Sequence, residues 1–288
     1  MLQALAYKSM VLDRAVMVFL VGTNVATLAQ LSLQWSTVIG VVNGSLAAAL
    51  LAASFRYPDV YARYRLWPVL VMRTLMLALP FVSDTVGLFP PPQDLALARQ
   101  AGRALFMLLL GISWTIGPFV ATFLLLPPAH HLMVNIPALA LLLRRNRSAC
   151  TAFLDQHPSN AGTIEAIGSV LRATMVSMAP AAISPVDALG AGASQLAVCM
   201  ASSAAVQVSL GLVLPTLMAW QLQSRMAASI AAHAEARQDS AMLQQVRHSQ
   251  HAKLCGAVAS ATQDFGVKLL LTLSSLTMTF TAALLAIG

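Results

Sequence analysis

Charge is scarce in this sequence. Lys, Arg, Asp and Glu make up 9% of its 288 residues, where a soluble globular chain carries about 25%. Four stretches, 15–55, 104–143, 188–224 and 269–288, hold no charged residue at all. A helix packed on the surface of a soluble domain needs a polar face towards water, and these stretches have almost none. That excludes a soluble enzyme, a disordered tail and a coiled coil as readings of the whole chain. Cysteine is also rare: Cys150, Cys199 and Cys255 are the three, with no CxxC pair. Their number and spacing predict neither a zinc site nor a disulfide framework. Cys150, close behind Arg144, Arg145 and Arg147, reads as an idle thiol at a membrane boundary, with acylation as the alternative.

Catalytic signatures are missing too. There is no GxSxG, HExxH or Walker loop, and Ser113, Ser177 and Ser184 have no His or Asp at motif spacing. Neither enzyme activity nor a cofactor is expected. His130 and His131 are adjacent and point about 100° apart on a helix. His248 and His251 share a face but lack a third ligand, so no metal site is expected. The net charge of +7 and the pI near 9.9 come from basic residues placed between apolar blocks. Positive-inside topology accounts for that placement, and no nucleic-acid partner is expected.

What is present is apolar length. A bilayer core about 30 Å thick takes about 20 helical residues, so the chain reads as an all-α, polytopic transmembrane helical bundle of six spans, with seven as the alternative. It forms a single integral-membrane domain over 1–288, with extramembrane polar segments over 144–187 and 225–268. The 41 residues of 15–55 fit two spans joined by a turn at Gln30, Gln34 and Trp35. A third span runs over 66–87, a fourth over 104–126, a fifth within 188–224 and the sixth over 269–288. Phe89-Pro90-Pro91-Pro92 breaks the chain after the third, and 93–103 is a connector. The piece 130–143 is too short to cross upright and reads as interfacial or re-entrant. From 216 to 255 there is neither Gly nor Pro, which predicts a helix continuing beyond the fifth span.

Two rows of small residues stand out. Gly40, Gly44 and Ala48 recur every fourth residue along the second span, and Ala193, Ala197, Ala201 and Ala205 do so along the fifth. Such rows allow close backbone approach, either within the chain or towards a second copy or another membrane subunit. Tyr57, Tyr61 and Tyr64, at i, i+4 and i+7, read as an interfacial aromatic belt. Arg73 is the candidate functional residue. Ten Leu, Val or Phe side chains of the third span supply about −3 to −6 kcal/mol of insertion free energy, against a cost of about +2.5 to +3.5 kcal/mol for one central Arg. The balance is narrow, so Arg73 must snorkel or find a partner. Asp84, eleven residues on, is about 16 Å away along a straight helix and is too far.

An offset of 78 residues superposes Pro137 on Pro215 and Arg147 on Arg225, a weak sign of duplication. With six spans and a cytoplasmic N-terminus, nine basic residues fall inside and seven outside. A seventh crossing between 163 and 224 improves that bias, but bilayer thickness favours six. The sequon Asn146-Arg147-Ser148 falls on the cytoplasmic side in both arrangements. The bilayer is the expected partner. The functional reading is a non-catalytic membrane scaffold or sensor component, with a small-solute transporter or channel as the alternative.

Overall fold

The computed structural model describes residues 2–28, 35–78, 126, 128–156, 159–178, 193–238 and 265–287, together with 241, 244, 257 and 260. These residues are helical almost throughout, with no strand among them. The fourth span apart from Leu126, the triple-proline break, the connector 93–103, Asp84, His248, His251 and Cys255 lie outside the described residues. The helices are α1 (Leu2–Leu28), α2 (Trp35–Arg56), α3 (Pro58–Tyr64), α4 (Leu66–Ala78), α5 (Pro128–Gln156), α6 (Ser159–Met178), α7 (Gln195–Val208), α8 (Leu214–Ala236) and α9 (Phe265–Ile287). A π-helical turn, Ser209–Val213, joins α7 to α8.

Among the described residues, one helical run is long and apolar enough to cross a membrane: Gln195–Ala236, 42 residues, within which an 18-residue stretch has a mean hydropathy of 1.9. Val41–Arg56 and Val267–Phe280 are shorter apolar helices. Two boundaries differ from the sequence reading. The piece 130–143 is not a separate re-entrant segment but the first half of α5, because no Gly or Pro after Pro137 interrupts the helix before Gln156. The helix following the fifth span stops at Ala236 instead of running on. Gln238 adopts φ 55°, the left-handed conformation that ends helices, and its N–H bonds to the Glu235 carbonyl at 3.1 Å.

The chain packs as two compact units. Unit 1 is Met1–Leu79, Gly117–Ile136 and Pro215–Lys268; unit 2 is Pro80–Ile116, Pro137–Leu214 and Leu269–Gly288. The two prolines superposed by the 78-residue offset are thus the first residues after two of the unit boundaries. Pro215 has no N–H to give the Gly211 carbonyl, and its ring would press on that group in an α-helix. The chain widens instead: the Leu214 N–H reaches back to the Ser209 carbonyl, a π-type bond that absorbs the proline.

In unit 1, α1 and α2 pack side by side, with α3 and α4 folded against them. Met10, Met17 and Leu20 of α1 meet Ala47 of α2, Tyr61 of α3 and Val69 and Met72 of α4. Pro58 opens α3, where its missing N–H costs nothing. In unit 2, Phe153 of α5, Ile164 and Leu171 of α6, Cys199 and Ala205 of α7 and Phe280 of α9 form the core. Ser194 caps α7, its hydroxyl accepting from the Ala197 N–H at 3.2 Å.

The α6–α7 packing of unit 2 depends on Gly168. A Cβ there would lie 2.5 Å from Val198 Cγ1, and a β-branched valine on a helix has little rotamer freedom to retreat. Gly168→Ala is expected to destabilise the protein by about 1–3 kcal/mol despite alanine's better helix propensity. Thermal unfolding of the detergent-solubilised protein checks this. A gain in stability would show that α6 and α7 are not in close contact here.

Candidate functional site

Both units place polar side chains inside and leave large apolar ones outside. Asp13, Asn43, Ser54, Arg73, His131 and Asn135 are buried in unit 1, whereas Val11, Val18, Phe19, Val42 and Met133 are exposed. In unit 2, Asn146, Ser203 and Gln207 are buried and Leu141 and Val170 are exposed. Buried polar groups require partners, and the partners define three clusters.

The first is centred on Arg73, which is completely buried. Its Nη1 donates to His131 Nδ1 at 3.0 Å. A guanidinium has donors only, so Nδ1 must be the acceptor and the imidazole proton must sit on Nε2. Nε2 lies 3.0 Å from Thr216 Oγ1 and 2.9 Å from the Asn135 amide. Beside an N–H, the amide must present its oxygen. A half-turn of the Asn135 amide brings Oδ1 there and satisfies an atom that otherwise has no partner. The result is a one-way hydrogen-bond chain from Arg73 through a neutral His131 to Asn135 and Thr216, joining α4, α5 and α8. Close by in unit 1, Gln223 of α8 donates to the Leu126 carbonyl. The hydrogen-bond partner of Arg73 is thus one of the His130-His131 pair.

The second cluster ties α1 to α2, to α3 and to Arg65, the residue between α3 and α4. Arg65 grips Asp13 with two parallel bonds, Nε to Oδ2 at 2.8 Å and Nη2 to Oδ1 at 2.6 Å. The Tyr61 hydroxyl donates to Oδ2 at 3.0 Å. Burial and the adjacent Asp13 carboxylate hold the Tyr61 phenol above its ordinary pKa, so it remains a donor. Arg14 stacks over Phe55 at 4.0 Å and donates to Ser54 Oγ at 3.1 Å. The tyrosine belt is thus divided: Tyr57 and Tyr64 are exposed and Tyr61 is buried, because Tyr57 caps α3 from outside the helix.

The third cluster, in unit 2, runs antiparallel along α5 and α7. Asn146 and Gln207 exchange two amide hydrogen bonds, at 2.9 and 2.8 Å. One turn further, Cys150 and Cys199 form a disulfide with their Cα atoms 5.9 Å apart, and Ser203 Oγ lies 3.8 Å from Cys150 Sγ. This corrects the reading of Cys150 as an idle thiol. Spacing alone does not pair cysteines 49 positions apart, but the facing helices do. Asn146, the asparagine of the sequon, is buried with its amide engaged.

The small-residue rows fare differently. Ala197, Ala201 and Ala205 are buried and Ala193 is half-buried; Ala201 and Ala205 belong to the core of unit 2 and Ala193 packs against it. Gly40 lies in α2; Gly44 is half-buried, and Ala48 is exposed. The buried side of α2 carries Asn43, Ala47 and Ser54. His131, Asn135 and Thr216, and the Asn146–Gln207 pair, were missed in the sequence reading. Their available sign was a few amides and one imidazole inside otherwise uncharged stretches. Among the described residues no three His, Cys, Asp or Glu side chains gather as metal ligands would. Comparison with protein-family models, with curated proteins and with solved structures yields no match.

Proposed function

We propose that the chain is a multi-pass helical membrane protein of about six spans that serves as a non-catalytic scaffold or sensor component. The observation that carries this is the pattern of burial. Polar side chains bond to one another inside each unit, beside its apolar core, while large Val, Phe, Leu and Met side chains lie exposed on the outside. A water-soluble protein minimises that arrangement, and a lipid-solvated one needs it. In the Arg73 cluster the buried Arg73, His131 and Asn135 bond to one another and reach Thr216 of α8. A buried network of this kind fixes how helices pack, as a scaffold or a signal-carrying bundle requires.

A second reading, solute passage, is favoured by one observation. Thr216 directly follows Pro215, where the helix departs from α geometry, and broken helices beside buried polar groups mark solute paths in transporters.

The membrane assignment is tested by alkaline carbonate extraction, in which the chain is expected to stay with the lipid. Reconstituted proteoliposomes then separate the two roles. The scaffold reading expects no ion or small-solute flux above protein-free vesicles. Flux that Arg73→Ala abolishes while the variant remains folded would replace it with the transport reading.

A further inference from the structure

The outward face of α5 in unit 2 changes character along its axis. Ala140, Leu141 and Leu143 are exposed and apolar, and Arg144, Arg145 and Arg147 follow immediately, also exposed. Arg144, Arg147, Ser148 and Thr151 repeat at i, i+3, i+4 and i+7 and so share one face. With Ala152 and Asp155 they line an open groove of about 640 Å³. Arg144 and Arg147, three positions apart, repel one another, and among the described residues the ion pair formed is that of Asp13 and Arg65. The hydroxyls of Ser148 and Thr151 donate to the carbonyls of Arg145 and Arg147, at 3.0 and 2.9 Å. Donors for a ligand therefore come from the arginines, whose planar forks match phosphate oxygens. Asp155, two turns beyond Arg147, repels an anion from that end and confines it beside the apolar half of the helix.

We propose that this groove binds the phosphodiester headgroup of an anionic phospholipid. The acyl chains lie along Ala140 and Leu141, and the phosphate sits between Arg144 and Arg147. From Leu141 to Arg147 the helix rises about 9 Å, comparable to one headgroup layer of about 5–8 Å. A free anion would not need the apolar run, and a neutral lipid would not need the two arginines that line the groove. The site rests on the membrane reading given above.

The test uses the full chain, reconstituted in bilayers of equal parts phosphatidylglycerol and phosphatidylcholine. It is then re-extracted in mild detergent, and the lipid retained per chain is read by native mass spectrometry. The expected result is selective retention of phosphatidylglycerol. The double variant R144Q/R147Q should reduce that selectivity by a factor on the order of 10, while Arg225→Gln, a basic control on α8, leaves it unchanged. Unaltered helical circular dichroism and an intact disulfide show that the double variant is folded, and R144K/R147K, which keeps the charge without the planar fork, should restore only part of the selectivity. Equal retention of the two lipids, selectivity that survives R144Q/R147Q, or displacement of phosphatidylglycerol by inorganic phosphate would each overturn the proposal. A chain released into the aqueous fraction by carbonate sinks the membrane reading itself. A chain that stays in the membrane without lipid selectivity sinks only this site.

Discussion

Asp13→Leu is expected to destabilise the protein by about 3–5 kcal/mol, because Arg65 then keeps its charge in the interior of unit 1 without the carboxylate that offsets its desolvation. Asp13 is fully buried and Arg65 is 9% exposed, so water cannot replace the lost partner. Arg65→Leu is expected to cost a similar amount for the mirror-image reason. Removing both should cost much less than either alone, since a buried ion pair replaced by apolar side chains of similar volume is often neutral. The Tyr61 hydroxyl, which bonds to Asp13 Oδ2, is then left without its acceptor. D13L/R65L should therefore retain a deficit of about 1–3 kcal/mol, which Tyr61→Phe in the same background removes. Unfolding of the purified chain in mixed detergent micelles, followed by circular dichroism, gives these differences. Additive single-variant costs, with no recovery in the double variant, would show that Asp13 and Arg65 do not act as a pair.

The pair also shows where sequence reasoning ran out. By sequence Arg65 is one of the nine basic residues on the inside, one position after Tyr64, and nothing local marks it as a core residue. In a chain whose helices are apolar on every side, hydrophobic periodicity no longer distinguishes inside from outside, because that contrast needs water on one face. The all-helical class could be read from composition, and so could the demand that Arg73 find a partner, since insertion energies depend on residue type and length. The identity of the partner could not: His131 is 58 positions away and reaches Arg73 through packing. Proline was more legible. The matched Pro137 and Pro215 fall at the unit boundaries; at Pro215 the ring's geometry makes the departure from α geometry predictable, whereas Pro137 lies inside the unbroken α5. The end of α8 was not, because the left-handed Gln238 belongs to a residue type with no special preference for that conformation.

Cys150→Ser, or reduction of the Cys150–Cys199 bond, is expected to lower stability by about 4 kcal/mol, because the bond closes a loop of about 50 residues whose freedom returns to the unfolded chain. The loop contains α6, so the loss should appear as weaker protection of α6 amides in hydrogen exchange, with the α1–α2 core of unit 1 less affected. The Asn146–Gln207 amides and the packing of Phe153 still hold α5 against α7, so unit 2 is expected to loosen rather than unfold outright. C150S/C199S should match the single variant, since either change removes the same bond. Two signs disagree on where this happens. Disulfides persist in oxidising compartments, yet Arg145 and Arg147, within two turns of Cys150, count as cytoplasmic by the charge rule. Burial bears on that conflict. Both cysteines are completely inaccessible to solvent, so a soluble thiol reductant reaches the bond only when the helices open. Maleimide labelling under denaturing conditions, before and after reduction, measures the outcome. Protection of Cys150 and Cys199 until the reductant is added is the expected result. Full labelling without reductant would show that the two helices face each other as free thiols, and the 4 kcal/mol would disappear with the bond.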